Sequence, residues 1–275
     1  MNKTIVITGA SDGIGAAAAT QLHRCGHRIV IVGRSEEKTR RVASAIAADR
    51  FTADFGDLGS VRALAATLTD RYPRIDVLAN NAGGVFGTRD KTADGHEKTF
   101  QVNHLAPFLL TSLLMPTLVS SSATVIQTAS VAARLYGKID PSDLENDSRY
   151  SANKAYGDSK LENILFTKEL DRRYRAQGIS AVAFHPGFIR SGFAADTTSF
   201  GMKLVYSNPI GRRFLSTAEQ GADQLVWLAQ SAPGTDWQQG AYYEKRQVTT
   251  RINPQANDAG LARELWDHSL AILGM

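Results

Sequence analysis

Cysteine is almost missing from this chain: Cys25 is the single one in 275 residues. A lone thiol excludes an internal disulfide framework and a Cys-rich zinc site. Long apolar runs are lacking as well, and none approaches the roughly 20 residues that span a bilayer. Only two residues precede Lys3-Thr4-Ile5-Val6-Ile7, which leaves no room ahead of that run for a signal peptide or anchor. No Pro/Gly/Ser-rich linker, internal repeat or low-complexity tract divides the sequence. Charge of one sign is scarce too. The net is +4, and a basic pair such as Arg212-Arg213 reads as solvated surface, not as a nucleic-acid groove. What is there is a globular composition, 43% hydrophobic and 21% charged, long enough for one large core. The expectation is a single soluble, cytoplasmic domain over residues 1–275, with no membrane and no nucleic-acid partner.

Thr4-Ile5-Val6-Ile7 is β-branched and apolar on consecutive positions, as in a parallel strand buried on both faces. It enters Thr8-Gly9-Ala10-Ser11-Asp12-Gly13-Ile14-Gly15 and then an alanine-rich helix from Ala16 to about Arg24. Glycines at 9, 13 and 15 permit a tight turn that brings backbone N–H groups and a helix N-terminus close to a phosphate pair. A glycine-rich turn is a weak signal alone, and its place between strand and helix strengthens it.

The second strand, Arg28 to Val32, ends in Gly33-Arg34-Ser35. An acidic side chain near this point binds ribose hydroxyls in dinucleotide folds, whereas an arginine pairs with a 2′-phosphate. Arg34 therefore argues for NADP(H) over NAD(H), unless it is a plain surface arginine. Asp12, inside the turn, works against that reading, because an anion there does not attract the same phosphate.

Helix Glu36 to Ala48 leads to a third strand near Arg50–Ala53 and then to Asp54-Phe55, where a carboxylate can accept from an adenine amino group. Ile75 to Ala79 is a fourth strand, running into Asn80-Asn81-Ala82-Gly83-Gly84. From about Gly95 to Val119 the apolar spacing predicts a long buried helix holding Asn103. Pro107 lies four residues on and has no N–H, so the Asn103 carbonyl loses its helical partner. The freed acceptor is either used or is the by-product of a packing kink. Ala123 to Gln127 is a fifth strand ending in Thr128-Ala129-Ser130. A sixth, Ser180 to Phe184, ends in His185-Pro186-Gly187. Ligands in open parallel sheets sit beyond the carboxyl ends of the strands, which is where Ser130 stands. A helix near Thr217 to Gln230 and a short strand, Ala241 to Tyr243, complete about seven strands.

Ala155-Tyr156-Gly157-Asp158-Ser159-Lys160 runs into a helical apolar pattern at Leu161, Ile164, Leu165 and Leu170. Tyr156 and Lys160 then share a helix face, one turn apart. An ammonium beside a phenol favours phenolate and brings an acidity that starts near ~10 toward the neutral range. Eight tyrosines and ten lysines make such a pair common by chance, and Tyr150 with Lys154 supplies a second one.

Taken together, Thr8-Gly9 to Gly15, Asn80-Asn81-Ala82-Gly83, Asn103, Ser130, Tyr156 with Lys160, and Pro186-Gly187 resemble the short-chain dehydrogenase/reductase superfamily, in its order and over nearly the whole chain. Gln101 to Leu105, Ile139-Asp140 and the tail with Asp258, Ala262 and Leu265 to Ser269 are similar to its retinol-dehydrogenase-like group. The resemblance implies a Rossmann-type, doubly wound α/β fold with helices on both faces. It also selects Tyr156 over Tyr150, because Ser159 directly precedes Lys160 whereas Asn153 precedes Lys154.

By that resemblance Tyr156 is the general acid in reduction and the base in oxidation. Lys160 tunes it and holds the nicotinamide ribose, Ser130 binds the substrate oxygen, and the Asn103 carbonyl holds a water. The implied cofactor contacts are Gly9, Ser11, Gly13, Ile14, Gly15, Arg34, Asp54, Phe55, Asn81, Gly83, Tyr156, Lys160, Pro186, Gly187 and Ser191, with no metal. Gln127-Thr128-Ala129 departs from the family's more usual Asn-Val-Ser, and the membrane anchor of some retinoid enzymes is missing.

The apolar, irregular stretch at about 188–216, with Phe193, Phe200 and Tyr206, covers the substrate in the family. It implies a small hydrophobic aldehyde, ketone or alcohol, unless the stretch is a helix pair packed on the core. Related enzymes pair through the helices carrying Asn103 and Tyr156, so a homo-oligomer is allowed. The competing readings are a non-catalytic NADP-sensing regulator and a protochlorophyllide-reductase-like enzyme. Cys25, far from any substrate loop, disfavours the latter.

Overall fold

The computed structural model describes residues 2–187 and 216–275, so the expected substrate-covering segment lies almost wholly outside the described residues. The first apolar run forms β1 (Thr4–Thr8), followed by helix α1 (Gly13–Arg24). Next come β2 (Arg28–Gly33), α2 (Glu36–Ala45), β3 (Asp49–Thr52), α3 (Leu58–Arg71) and β4 (Val77–Asn80). A short helix, α4 (Lys98–Phe100), leads through a π-helical turn (Gln101–Leu105) into α5 (Ala106–Ser120). Then follow β5 (Thr124–Thr128), α6 (Ala132–Leu135), α7 (Ala152–Tyr174) and β6 (Ser180–His185). Beyond the undescribed segment lie α8 (Ala218–Gln230), β7 (Tyr242–Glu244), β8 (Gln247–Val248) and α9 (Ala259–Leu273).

The strands form one sheet in the order β3-β2-β1-β4-β5-β6-β7-β8, parallel except for the antiparallel β7–β8 pair. Apolar residues alternate between its two faces because successive strand side chains point oppositely. Ile5 and Ile7 join a cluster with Ala18, Leu22, Leu225 and Leu228 of α1 and α8. Val6 joins the opposite cluster, with Leu68, Phe108, Leu161 and Leu265 from α3, α5, α7 and α9. Each such aliphatic side chain contributes about 1.5–3 kcal/mol by leaving water. The chain thus folds as a doubly wound sheet, with its strand order reversing between β1 and β4.

Boundaries shift by one to three residues from those the sequence suggests: β4 and β5 start and end later, and α2 stops at Ala45. The eighth strand was not expected. It returns from β7 through Lys245 and Arg246, both in the left-handed region at φ 53° and 60°. The helix around Asn103 is also more specific than a kink. Ahead of Pro107 it widens, and the Ala106 N–H reaches back to the Gln101 carbonyl. From Lys98 to Ser120 this helix is long and apolar enough to cross a bilayer, which the residue-by-residue reading overlooked, yet 67% of its apolar window is buried inside the protein.

Helix α7 is buried for most of its length. Its N-terminus is capped by Ser151, whose side chain accepts from the Lys154 N–H. Behind it, Trp266 of α9 stacks on Phe166 at 5.6 Å and meets Phe108 of α5 edge-on at 4.9 Å. His104 lies 3.0 Å from the Ser269 hydroxyl, which ties the π-turn to α9.

Candidate active site

Where the strand order reverses, the carboxyl ends of β1, β4 and β5 are laced together by side chains. The Thr8 hydroxyl accepts from the N–H groups of Asn81 and Ala82, both at 3.0 Å, and donates to the Ala79 carbonyl at 3.3 Å. Asn81 returns a bond from Nδ2 to the Thr8 carbonyl at 3.0 Å and accepts from the Thr128 hydroxyl at 3.3 Å. Asn81 thus spans three strand ends. Thr8, the hub of this lacing, stands in the sequence only as the start of the glycine turn, with no role for its side chain. A β-branched hydroxyl at a strand end looks like any other strand residue.

The turn after β1 needs its glycines for two separate reasons. Gly9 has φ +65°, and a Cβ there would sit 2.8 Å from the Ala82 Cα. At Gly15 a Cβ would lie 2.4 Å from the Gly9 carbonyl oxygen. Asp12 caps α1, its carboxylate accepting from the Gly13 N–H at 2.8 Å. The turn, β2's end and the strand tips enclose a cleft of about 910 Å³. Gly9, Ser11, Gly13, Ile14, Gly15, Arg34, Asp54, Phe55, Asn81 and Gly83 all line it, as do Ser130, Tyr156, Lys160, Pro186 and Gly187. Ser191 lies outside the described residues. Asp54 has part of its carboxylate committed to the Gly56 N–H at 2.9 Å.

Asn103 is not on the cleft wall but directly behind it. Its side chain accepts from the Gly84 N–H at 2.8 Å and donates to the Gly84 carbonyl at 2.9 Å. Nδ2 also donates to the Ser159 hydroxyl at 3.0 Å, and that hydroxyl donates to the Tyr156 carbonyl at 2.9 Å. This chain of bonds fixes the Gly83-Gly84 loop against the helix that carries Tyr156 and Lys160. Gly83 faces both: a Cβ there would stand 2.9 Å from the Asn103 Oδ1 and 3.2 Å from the Lys160 Nζ.

The Lys160 ammonium is buried, donates to the Thr128 carbonyl at 3.1 Å and lies 5.6 Å from the centroid of the Tyr156 ring. Burial lowers its pKa from 10.5 to about 8. The Tyr156 ring packs with Val85 and Ala132, and the Ser130 hydroxyl accepts from the Ala132 N–H at 3.2 Å. His185 is held neutral, pushed down to about 4 by burial.

The second Tyr/Lys pair is employed elsewhere. Tyr150 donates to the Thr88 carbonyl at 3.0 Å, and Lys154 bonds to Asn146, Asp158 and the Lys138 carbonyl. Lys38, which also lines the cleft, was not singled out from the sequence. Among the described residues no group of three or more His, Cys, Asp or Glu could hold a metal ion.

A glycine turn between strand and helix, with a buried ammonium, a phenol and a hydroxyl at the same sheet edge, defines the dinucleotide-dependent oxidoreductase class. The comparisons agree. Residues 3–200 match the family described as short chain dehydrogenase. A "Putative daunorubicin C-13 ketoreductase" of Streptomyces sp. (strain C5) is 45% identical, covering 99% of this chain and 93% of the relative. Retinol dehydrogenase 12 of Homo sapiens is 36% identical, covering 99% and 87%. A crystal structure of a protein from Mycobacterium paratuberculosis superposes with a TM-score of 0.79 at 33% identity, covering 99% of this chain and 94% of that one. The chain belongs to the short-chain dehydrogenase/reductase family, in its retinol-dehydrogenase-like part, and is an oxidoreductase acting on CH–OH and C=O groups.

Proposed function

We propose that the protein is an NADP(H)-dependent oxidoreductase that interconverts a hydrophobic aldehyde or ketone and its alcohol, with Tyr156 as acid and base. The observation that carries this reading is the shared cleft: Ser130, Tyr156 and Lys160 open onto the same space as the glycine turn. The residues fit the cofactor. Gly9, Gly13 and Gly15 line the cleft at the start of α1, a place suited to a pyrophosphate, and Arg34 and Ser35 line it where a 2′-phosphate would be paired. When bound, the nicotinamide supplies hydride in reduction and accepts it in oxidation.

In this reading the protein's own groups do the rest. Ser130 donates a hydrogen bond to the substrate oxygen. The Tyr156 phenol gives that oxygen its proton in reduction and takes one back in oxidation. The Lys160 ammonium, 5.6 Å from the ring centroid, favours the phenolate left behind and donates to the nicotinamide ribose. Asn103 positions both through Ser159. The substrate end of the cleft is apolar: Val85, Phe86, Val131, Leu135 and Tyr136 line it, with Leu135 53% and Tyr136 47% exposed at its rim. The ketoreductase name of the Streptomyces relative supports a ketone as the acceptor.

The test is NADPH oxidation screened over aldehydes, ketones and quinones of graded size, repeated with Tyr156→Phe. Loss of the phenol should lower kcat by about 10²–10⁴-fold and leave the dissociation constant for NADPH unchanged. Unchanged turnover in the variant would remove Tyr156 from its role. Inactivity of the native protein with every substrate would favour a dinucleotide-binding regulator.

A further inference from the structure

At the adenosine corner of the cleft, two opposite charges already hold each other. Lys38, in the first turn of α2, donates from Nζ to the Asp12 carboxylate at 2.9 Å. Asp12 belongs to the phosphate turn and Lys38 to the helix after β2, so the pair bridges the two walls of the cleft. Arg34 lines the same corner and forms no ion pair among the described residues.

Hydrogen bonding to Lys38 holds the Asp12 carboxyl below its usual range, so it remains an anion at neutral pH. A 2′-phosphate placed beside Arg34 brings a second, stronger anion to the same ammonium. A ribose 2′-hydroxyl brings no charge and offers a donor that a carboxylate can accept. The two cofactor forms therefore meet Asp12 in opposite ways.

We infer that Asp12 limits the preference for NADP(H) by competing with the 2′-phosphate for Lys38, so that cofactor choice is set by an exchange of that ammonium between two anions. The inference rests on the proposed NADP(H) dependence and assigns to a residue of the glycine turn the job of weakening it. Both partners are largely exposed, at 51% and 65%, so the exchange is shallow and sensitive to salt.

Asp12→Asn tests this cleanly, because asparagine caps a helix as well as aspartate does and only the charge is removed. Dissociation constants for NADP⁺, NAD⁺, 2′-AMP and 5′-AMP are measured by calorimetry on the native protein, Asp12→Asn, Lys38→Met and the double variant. Asp12→Asn should raise the ratio of NADP⁺ to NAD⁺ affinity by about threefold to fivefold at low salt, with 2′-AMP following NADP⁺. The gain should shrink in 0.5 M NaCl, by screening over about 4–5 Å. In the Lys38→Met background the same change should have little effect. An equal gain with and without Lys38, or no gain at all, overturns the exchange. Arg34→Leu separates the two levels of the reading. If it weakens NADP⁺ selectively while Asp12→Asn is silent, only the exchange fails; if it leaves both cofactors alike, the NADP(H) assignment fails with it.

Discussion

Lys160 is a cation held out of water by the fold, and replacing it should make the cofactor-free protein more stable while destroying its activity. At about 1.4 kcal/mol per pH unit, the drop from 10.5 to about 8 corresponds to a burial cost of roughly 3 kcal/mol. Lys160→Met removes that cost and keeps much of the side chain's volume. It also removes the bond to the Thr128 carbonyl, which offsets about 1–2 kcal/mol. The net gain is then about 1–2 kcal/mol at pH 7, or about 2–4 °C in Tm for a domain of this size. The sign with pH follows from the lowered value. Below about 8 both folded and unfolded chains carry the proton and the cost is present in full. Between about 8 and 10.5 only the unfolded chain keeps it, so wild-type stability climbs and the gap closes. Thermal unfolding followed by circular dichroism, without cofactor, at pH 7 and pH 10 measures both. A variant no more stable than wild type at pH 7, or a gap that does not narrow with pH, would refute the burial argument.

Two other perturbations probe the supports of the site. Asn103→Ala leaves the Gly84 N–H and carbonyl without their buried partner and should cost about 2–4 kcal/mol in urea unfolding; an effect below about 0.5 kcal/mol would mean the loop is held by other contacts. His104 is fully buried and its pKa is lowered from 6.5 to about 3 by burial, so the unfolded chain takes up a proton that the folded chain refuses. Stability should therefore fall as pH drops below 6.5, and His104→Gln should flatten that fall by about 1.4 kcal/mol per pH unit. Urea midpoints at pH 7, 6 and 5 give the slope, and an unchanged slope would show that other groups set the acid response.

The elements legible in the sequence are those in which local chemistry and tertiary role coincide. β1, the glycine turn and α1 announce themselves because buried parallel strands are apolar at every position and a phosphate turn needs glycine. Tyr156 could be chosen over Tyr150 because Ser159 stands before Lys160, and the structure shows Ser159 engaged by Asn103. Other features were silent because they are made by partners far apart in the chain. Nothing near Thr8 tells that its hydroxyl organises residues 81 and 82. Nothing near Lys38 tells that Asp12 waits for it. The β7–β8 hairpin was invisible for a different reason: its turn places Lys245 and Arg246 where asparagine and glycine are the usual signals. The π-turn lay in between, since Pro107 marked a disturbance without saying that the helix would widen to absorb it.

Helix α9 closes the back of α7 through Trp266, and Ser269 reaches the π-turn behind Asn103. During synthesis, every group that faces the cleft up to Gly187 leaves the ribosome well before this supporting wall exists. The nascent chain therefore holds all its reactive groups before Trp266 is there to pack on Phe108 and Phe166. Competence for chemistry should arrive late and abruptly, when the tryptophan seats, and not gradually as the sheet grows.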